Sequence, residues 1–406
     1  MLDSSDRILT TQAGSLPRTE ALLQANKLWT EGEYPGGWDA FSSFLEEQVL
    51  ELVERQIDTG LDIVGDGEYG KAMSSKLDFG AWWTYSFART GGLELSSDTM
   101  WTDSNVISEP GNPQLTGFSY RRDWTAFHDA YTDPTSGVSI RSEGAKSFPK
   151  ATGPLSYIGH DALAVDIANM KAAVEETGAE EGFITALSPG SASRIGNEYY
   201  SSDEEWLYAW ADVLREEYQA IIDEGLILQI DDPSIAEAFD QITPEPSTED
   251  YLAFTKVRVE ALNYALRDLP EDRIRFHLCW GSWHGPHTTD LPFEDIVDLM
   301  LTIRAGAYSF EGANVRHEHE WRVWENTALP EGKLIIPGVV SHATNVVEHP
   351  RLVADRIIRY AQLVGRENVI ASTDCGLGGR IHGQIAWAKL AALVEGAQLA
   401  TTELWG

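Results

Sequence analysis

The chain has 406 residues, 43% of them apolar, enough to fill one large α/β barrel with an insertion or two smaller domains. Its 64 acidic residues against 30 basic ones leave a formal net charge of −34, which excludes nucleic acid and anionic membrane surfaces as partners, because both need a basic patch. The opening Met1-Leu2-Asp3-Ser4-Ser5-Asp6-Arg7 lacks the apolar run of a secretory leader, and no stretch is long and apolar enough to cross a bilayer, so a cytoplasmic location is expected.

Along the chain, short apolar runs ending in Gly, Pro or acidic residues alternate with amphipathic stretches of helical length. This is the rhythm of βα units around a parallel sheet. Candidate strands end at Gly14-Ser15-Leu16-Pro17, Gly65-Asp66-Gly67-Glu68, Gly153-Pro154, Leu187-Ser188-Pro189-Gly190, Gln229-Ile230-Asp231-Asp232, His277-Leu278-Cys279-Trp280, Ser309-Phe310-Glu311-Gly312, Pro337-Gly338-Val339-Val340 and Thr373-Asp374-Cys375-Gly376. That is one more than a (β/α)₈ TIM barrel holds, and the run at Gly153 is expected to lie outside it. Phe41, Leu45, Val49, Leu52 and Val53 form one helical stripe, and Val353, Ile357, Ile358 and Ala361 another; both face a core and carry no functional information. Acidic groups such as Asp203-Glu204-Glu205 read as a solvated surface.

Residues 81–149 break the rhythm. They are rich in Trp, Tyr, Ser, Gly and Asp (Trp82, Trp83, Trp101, Trp124, Tyr131), without helical periodicity, and are expected to form an insertion in a single catalytic domain spanning 1–406. An insertion of this length suits a lid, a contact in a homo-oligomer, or decoration.

In a parallel barrel the polar residues at strand C-terminal ends share one mouth. That rule gathers Ser15, Glu68, Asp231, His277, Cys279, Glu311, His342 and Cys375. His277 and Cys279 are two apart at the end of the strand Arg273-Ile274-Arg275-Phe276, so imidazole and thiol face the same side. Taken alone, Cys279 and Cys375, the only cysteines, would be small buried hydrophobes. With Glu311 they instead complete a Cys₂HisGlu set, and soft thiolates with an imidazole select zinc over magnesium or calcium. Such a site suits thiol activation, since a free thiol of pKa about 8.5 offers little thiolate at neutral pH.

These residues resemble the cobalamin-independent methionine synthases, specifically their C-terminal catalytic barrel and its single-barrel relatives. The likeness runs from Thr10-Thr11-Gln12-Ala13-Gly14-Ser15-Leu16-Pro17 to Leu404-Trp405-Gly406, outside the insertion. It rests on Gly14-Ser15, Asp66-Gly67-Glu68, Leu228-Gln229-Ile230-Asp231, the His-x-Cys, the Phe310-Glu311 and the Asp374-Cys375-Gly376. The resemblance implies zinc on His277, Cys279, Glu311 and Cys375, and a homocysteine acceptor held by Ser15, Glu68 and Asp231. The family's proton-donating histidine falls nearest His342, displaced by one position. The alternative for the two acids is a salt-bridged loop residue at Glu68 and a helix cap at Asp231.

Two departures concern the alkyl donor: the sequence lacks a counterpart of the additional N-terminal barrel that helps hold polyglutamylated folate, and Ser188-Pro189-Gly190-Ser191-Ala192 stands where an aromatic residue packs on the pterin. The expected function is transfer of a methyl or other alkyl group to a small-molecule thiol. The alternatives are thiol addition to an epoxide, as in the epoxyalkane:coenzyme M transferases with the same zinc set, a zinc hydrolase, or a purely structural zinc. Arg316-His317-Glu318-His319-Glu320-Trp321 is expected to support the site from behind, and His284 and His287 to be surface histidines.

Overall fold

In the computed structural model, which describes residues 1–72, 81–95, 104–138, 148–281 and 283–406, eight parallel strands curl into a nearly closed barrel. They are β1 (Leu9–Thr10), β2 (Ile63–Gly65), β5 (Glu181–Leu187), β7 (Ile227–Asp231), β8 (Ile274–Leu278), β9 (Ala307–Phe310), β10 (Leu334–Val340) and β11 (Ile370–Thr373). Each lies where an apolar run ends in a polar or glycine-containing turn, and the eight barrel strands are the eight expected from the sequence. The order is β1-β11-β10-β9-β8-β7-β5-β2. At the seam between β1 and β2 no ladder forms. Other hydrogen bonds close it instead, among them Asp62 N to Thr10 O at 3.1 Å, Thr10 N to Asp62 Oδ2 at 2.7 Å, Thr10 Oγ1 to Asp62 Oδ2 at 2.8 Å, and Thr11 Oγ1 to Ile63 O at 3.0 Å.

β5, β8 and β10 are buried along their whole length, as strands covered on both faces must be. Leu9, Ile63, Phe183, Ile227, Ala307, Leu334, Ile336 and Ile370 form a separate apolar plug inside the lower end of the barrel. Outside, helix Gly37–Thr59 buries Phe41, Leu45, Val49, Leu52 and Val53, and helix Pro350–Val364 buries Val353, Ile357 and Ala361, with Ile358 half-buried. Asp203, Glu204 and Glu205 fill the first turn of helix Asp203–Asp223 behind the Ser202 cap, where carboxylates offset the positive end of the helix dipole. Among the described residues no helix is long and apolar enough to cross a membrane.

The Gly153 run lies outside the barrel, in β4 (Pro149–Tyr157). It pairs antiparallel with β3 (Thr90–Leu95) and parallel with β6 (Gly196–Asn197). The described residues between 81 and 149 form more regular structure than their composition suggests. Helix Ala81–Ala88 is apolar on nearly every side (Trp82, Trp83, Tyr85, Phe87), so it shows no amphipathic period. Short helices Arg122–Ala126 and His128–Thr132 follow, with Trp124 stacked on Tyr131 at 4.4 Å; Trp101 lies outside the described residues. The sheet is fastened to the barrel helices by Arg89, paired with Asp166 at 2.5 Å, and by Tyr85 and Tyr157, which both donate to the buried Glu217.

Candidate metal and thiol site

The residues gathered by the barrel rule all lie at strand C-terminal ends or in the loops just beyond them. His277 is the penultimate residue of β8, and Cys279 follows directly after the strand. Cys375 comes from the loop after β11. One ligand atom from each of these three lies within 4.8 Å of the other two, and all three residues are buried. Ser309 Oγ lies 2.9 Å from His277 Nδ1, so Nε2 is the nitrogen left for the thiols, and that buried atom has no hydrogen-bond partner. The two thiols split in acidity. A hydrogen bond from Cys279, opposed by burial and aided by His277, holds Cys375 well below the usual thiol range. The same hydrogen bond and burial push Cys279 up. One soft anion, a second thiol and an unpartnered imidazole nitrogen in a buried cluster are a donor set that fits zinc.

Glu311, just past β9, falls in a neighbouring cluster whose ligand atoms also lie within 4.8 Å of one another, with His342 and Asp374. Its oxygens are held apart: Oε1 accepts from Trp280 N at 3.0 Å and Oε2 from Asn314 Nδ2 at 2.7 Å. Asn314 also donates to Asp374 at 3.2 Å, while its own oxygen accepts from the backbone N–H of Arg316 and His317. Burial raises the Glu311 carboxyl to about 8, so the bare site leaves it close to neutral, and a cation is what would draw out its charge. Asp374 accepts from Gly312 N and Ala313 N at 2.8 and 2.7 Å, which ties the β9 and β11 loops together. His342, just past β10, is 2% exposed, and burial holds it down at about 3, hence neutral; its Nδ1 has no partner.

The acceptor-side residues meet on the other half of the mouth. A Cβ built at Gly376 would stand 2.1 Å from Ser15 Oγ, so glycine is required beside Cys375 for the Ser15 loop to close over it. A Cβ at Gly14 would meet Glu68 Oε1 at 3.4 Å and Gln229 Nε2 at 3.7 Å, which brings the same loop against both acids' neighbourhood. Glu68 is 4% exposed, at a left-handed φ of 61°. Its Oε1 accepts from Thr185 Oγ1 at 2.9 Å and pairs with Lys71 Nζ at 3.4 Å. Glu68 is therefore salt-bridged, by a lysine buried in the mouth and not on the surface. Asp231 caps nothing: Asp232 is the residue that accepts from Ser234 N at the start of the 3₁₀ turn Pro233–Ile235. Burial raises Asp231 to about 7, against the pull of His277.

Sequence reasoning missed Lys71, Ser309, Asn314 and Gln229. Ser309 and Gln229 stand two residues before Glu311 and Asp231 on their strands, so alternation points them into the barrel; Lys71 and Asn314 carry no comparable signal. Lys71 Nζ donates to Thr185 Oγ1 at 2.6 Å and sits 4.3 Å over the Tyr85 ring, so helix Ala81–Ala88 forms part of this wall. His284 and His287 are half-buried and not surface residues, because their loop folds inward: His287 bonds Asp290 and the Trp283 carbonyl, both at 3.0 Å. His317 stacks on Trp280 at 4.0 Å and bonds Asp290 and Glu320, supporting the Cys279 loop from behind.

Residues 162–399 match the family model described as the catalytic domain of cobalamin-independent synthase. The chain is 26% identical over 211 residues to a methionine synthase of Thermococcus kodakarensis, a match covering 51% of this chain and 54% of that protein. It thus spans about half the length of that relative. It is 25% identical to the 2-hydroxypropyl-CoM lyase of Xanthobacter autotrophicus, over 98% of this chain and 96% of that one. The fold is that of a B12-independent methionine synthase from Shewanella sp. W3-18-1, solved with selenomethionine (TM-score 0.69, 19% identity, 98% and 99% of the two chains). The chain belongs to the cobalamin-independent synthase catalytic-domain family.

Proposed function

We propose that the chain is a zinc-dependent enzyme, a single catalytic domain over 1–406, that transfers a methyl or other alkyl group to a thiol, with homocysteine the leading acceptor. The observation that carries this reading is the buried cluster of His277, Cys279 and Cys375, with His277 Nε2 unpartnered among the sulfurs. Glu311 is the fourth ligand, held ready by Trp280 and Asn314. Zinc, when bound, supplies the Lewis acidity that strips the proton from a thiol near neutral pH.

The remaining work falls to the chain's own residues. Ser15, Glu68 and Asp231 orient the acceptor, the two carboxylates taking its ammonium group. The new C–S bond forms as the bond from carbon to the donor's leaving group breaks. The proton released by the thiol is the one the leaving group takes up, relayed by the neutral His342 ring, which accepts a proton on one nitrogen as it gives up the N–H of the other. The buried mouth keeps water from competing.

Thiol addition to an epoxide is the second reading. It is favoured by the near full-length likeness to the CoM lyase and by Lys71, an ammonium in the mouth suited to an anionic thiol. Metal analysis tests the common core of both. The purified protein is expected to carry about one zinc per chain. Cys279→Ser and Cys375→Ser should each lose most of it, and full zinc occupancy in either variant would refute the ligand assignment.

A further inference from the structure

Beneath the acceptor side of the mouth lies a buried cation to which no carboxylate is hydrogen-bonded among the described residues. Arg275, 1% exposed, stands on β8 two residues before His277, with its guanidinium carbon 3.5 Å over the Phe183 ring. Its Nε donates to Gln229 Oε1 at 2.6 Å, Nη1 to Thr11 Oγ1 at 3.1 Å and Nη2 to Gln12 O at 2.7 Å. A guanidinium has no acceptor. The Gln229 oxygen must therefore face Arg275, and its NH₂ group must face the other way. Its two N–H bonds go to Ala13 O at 3.0 Å and Asp231 Oδ1 at 2.7 Å.

This arrangement joins two walls that the sequence keeps more than two hundred residues apart. Arg275 and Gln229 grip the backbone of Gln12 and Ala13, which leads into Ser15, and Gln229 also grips Asp231. Gln229 is fully buried, so none of these bonds is available to water. With Oδ1 occupied, Oδ2 is the oxygen of Asp231 left for the mouth.

We infer that Gln229, fixed by Arg275, is a positioning residue that aims Asp231 at the acceptor's ammonium group. The inference rests on the proposed reading in which Asp231 takes that ammonium. The role is specific to the amine: a thiol of the same length and charge at its acid end, lacking only the amine, should be indifferent to Gln229.

The test measures dissociation constants of homocysteine and of 4-mercaptobutanoate, its des-amino analogue, on the zinc-loaded protein by calorimetry. Wild type should prefer homocysteine by about tens-fold, the worth of charge-assisted hydrogen bonds to the amine. Gln229→Met should reduce that preference below about threefold by removing the N–H that aims Asp231, with 4-mercaptobutanoate affinity and zinc content unchanged. Gln229→Asn guards against misfolding: it keeps an amide, but the shorter arm cannot reach Arg275 and Asp231 together, and the same loss is expected. A preference retained in a folded variant, or equal losses for both thiols, overturns the positioning role. Equal affinity of wild type for the two thiols overturns the acceptor reading itself and leaves Gln229 a core residue.

Discussion

Ser309 Oγ and His277 Nδ1, from adjacent strands β9 and β8 and directly paired in register, lie 2.9 Å apart. The contact selects the ring nitrogen that faces the sulfurs. Groups on the far nitrogen of a ligating histidine fix its tautomer and orientation. Ser309→Ala should weaken zinc affinity by about 10–100-fold while leaving the fold intact, measured by competition with a chelator. Unchanged affinity would mean that packing alone orients the ring.

Lys71 separates the two acceptor readings. Its ammonium pairs with one oxygen of Glu68. If the acceptor brings its own ammonium, Lys71→Met removes a like charge, and homocysteine should bind within about threefold of wild type or more tightly. A loss beyond about tenfold, matched by loss of sulfonate-bearing thiols, would move the acceptor to an anionic thiol without an amine.

His342→Asn should lower turnover by about 10²–10⁴, the usual worth of general acid catalysis, with zinc content and thiol affinity unchanged. Both alkyl transfer from an amine and epoxide opening leave a group that needs a proton, so the variant tests the role and not the donor. Wild-type turnover would make His342 a bystander. Direct assays with methyltetrahydrofolate, methylcobalamin and simple epoxides separate the donors; weak activity at most is expected with monoglutamyl folate.

His317 predicts how stability depends on pH. Burial works against its charge, yet Asp290 and Glu320, bonded to its two ring nitrogens at 3.0 and 2.7 Å, raise it to about 10. The folded state therefore holds a proton that the unfolded chain releases near pH 6.5. The stability so gained is fully present below about pH 6.5 and drains away as pH rises towards 10. Chemical denaturation of wild type should show that decline, and His317→Leu should flatten it while lowering stability at pH 6. A parallel slope in both proteins would show that His317 is not the group responsible.

The barrel was legible because each buried parallel strand is a short apolar run with a polar terminus, and because one rule, that strand ends share a mouth, collects residues scattered from Ser15 to Cys375. The layer underneath was legible in principle. Gln229, Arg275, Ser309 and Thr373 stand two positions before Asp231, His277, Glu311 and Cys375, so strand alternation turns them into the same interior. They are polar where a barrel filled by Val, Ile and Leu would have apolar residues. Lys71 and Asn314 were not legible, since each acts from a loop whose path depends on tertiary contacts. Helix Ala81–Ala88 was hidden by aromatic residues around its whole circumference, which erase the period that marks a helix with one dry face.

The central claim, that this site binds a thiol directly through zinc, is tested most directly by zinc-edge X-ray absorption with and without homocysteine. Cys279 and Cys375 predict two sulfur neighbours at about 2.3 Å in the resting protein, with His277 and Glu311 completing the shell. Adding homocysteine should raise the count to three as its sulfur joins the metal. A sulfur count that stays at two under saturating thiol would contradict the account.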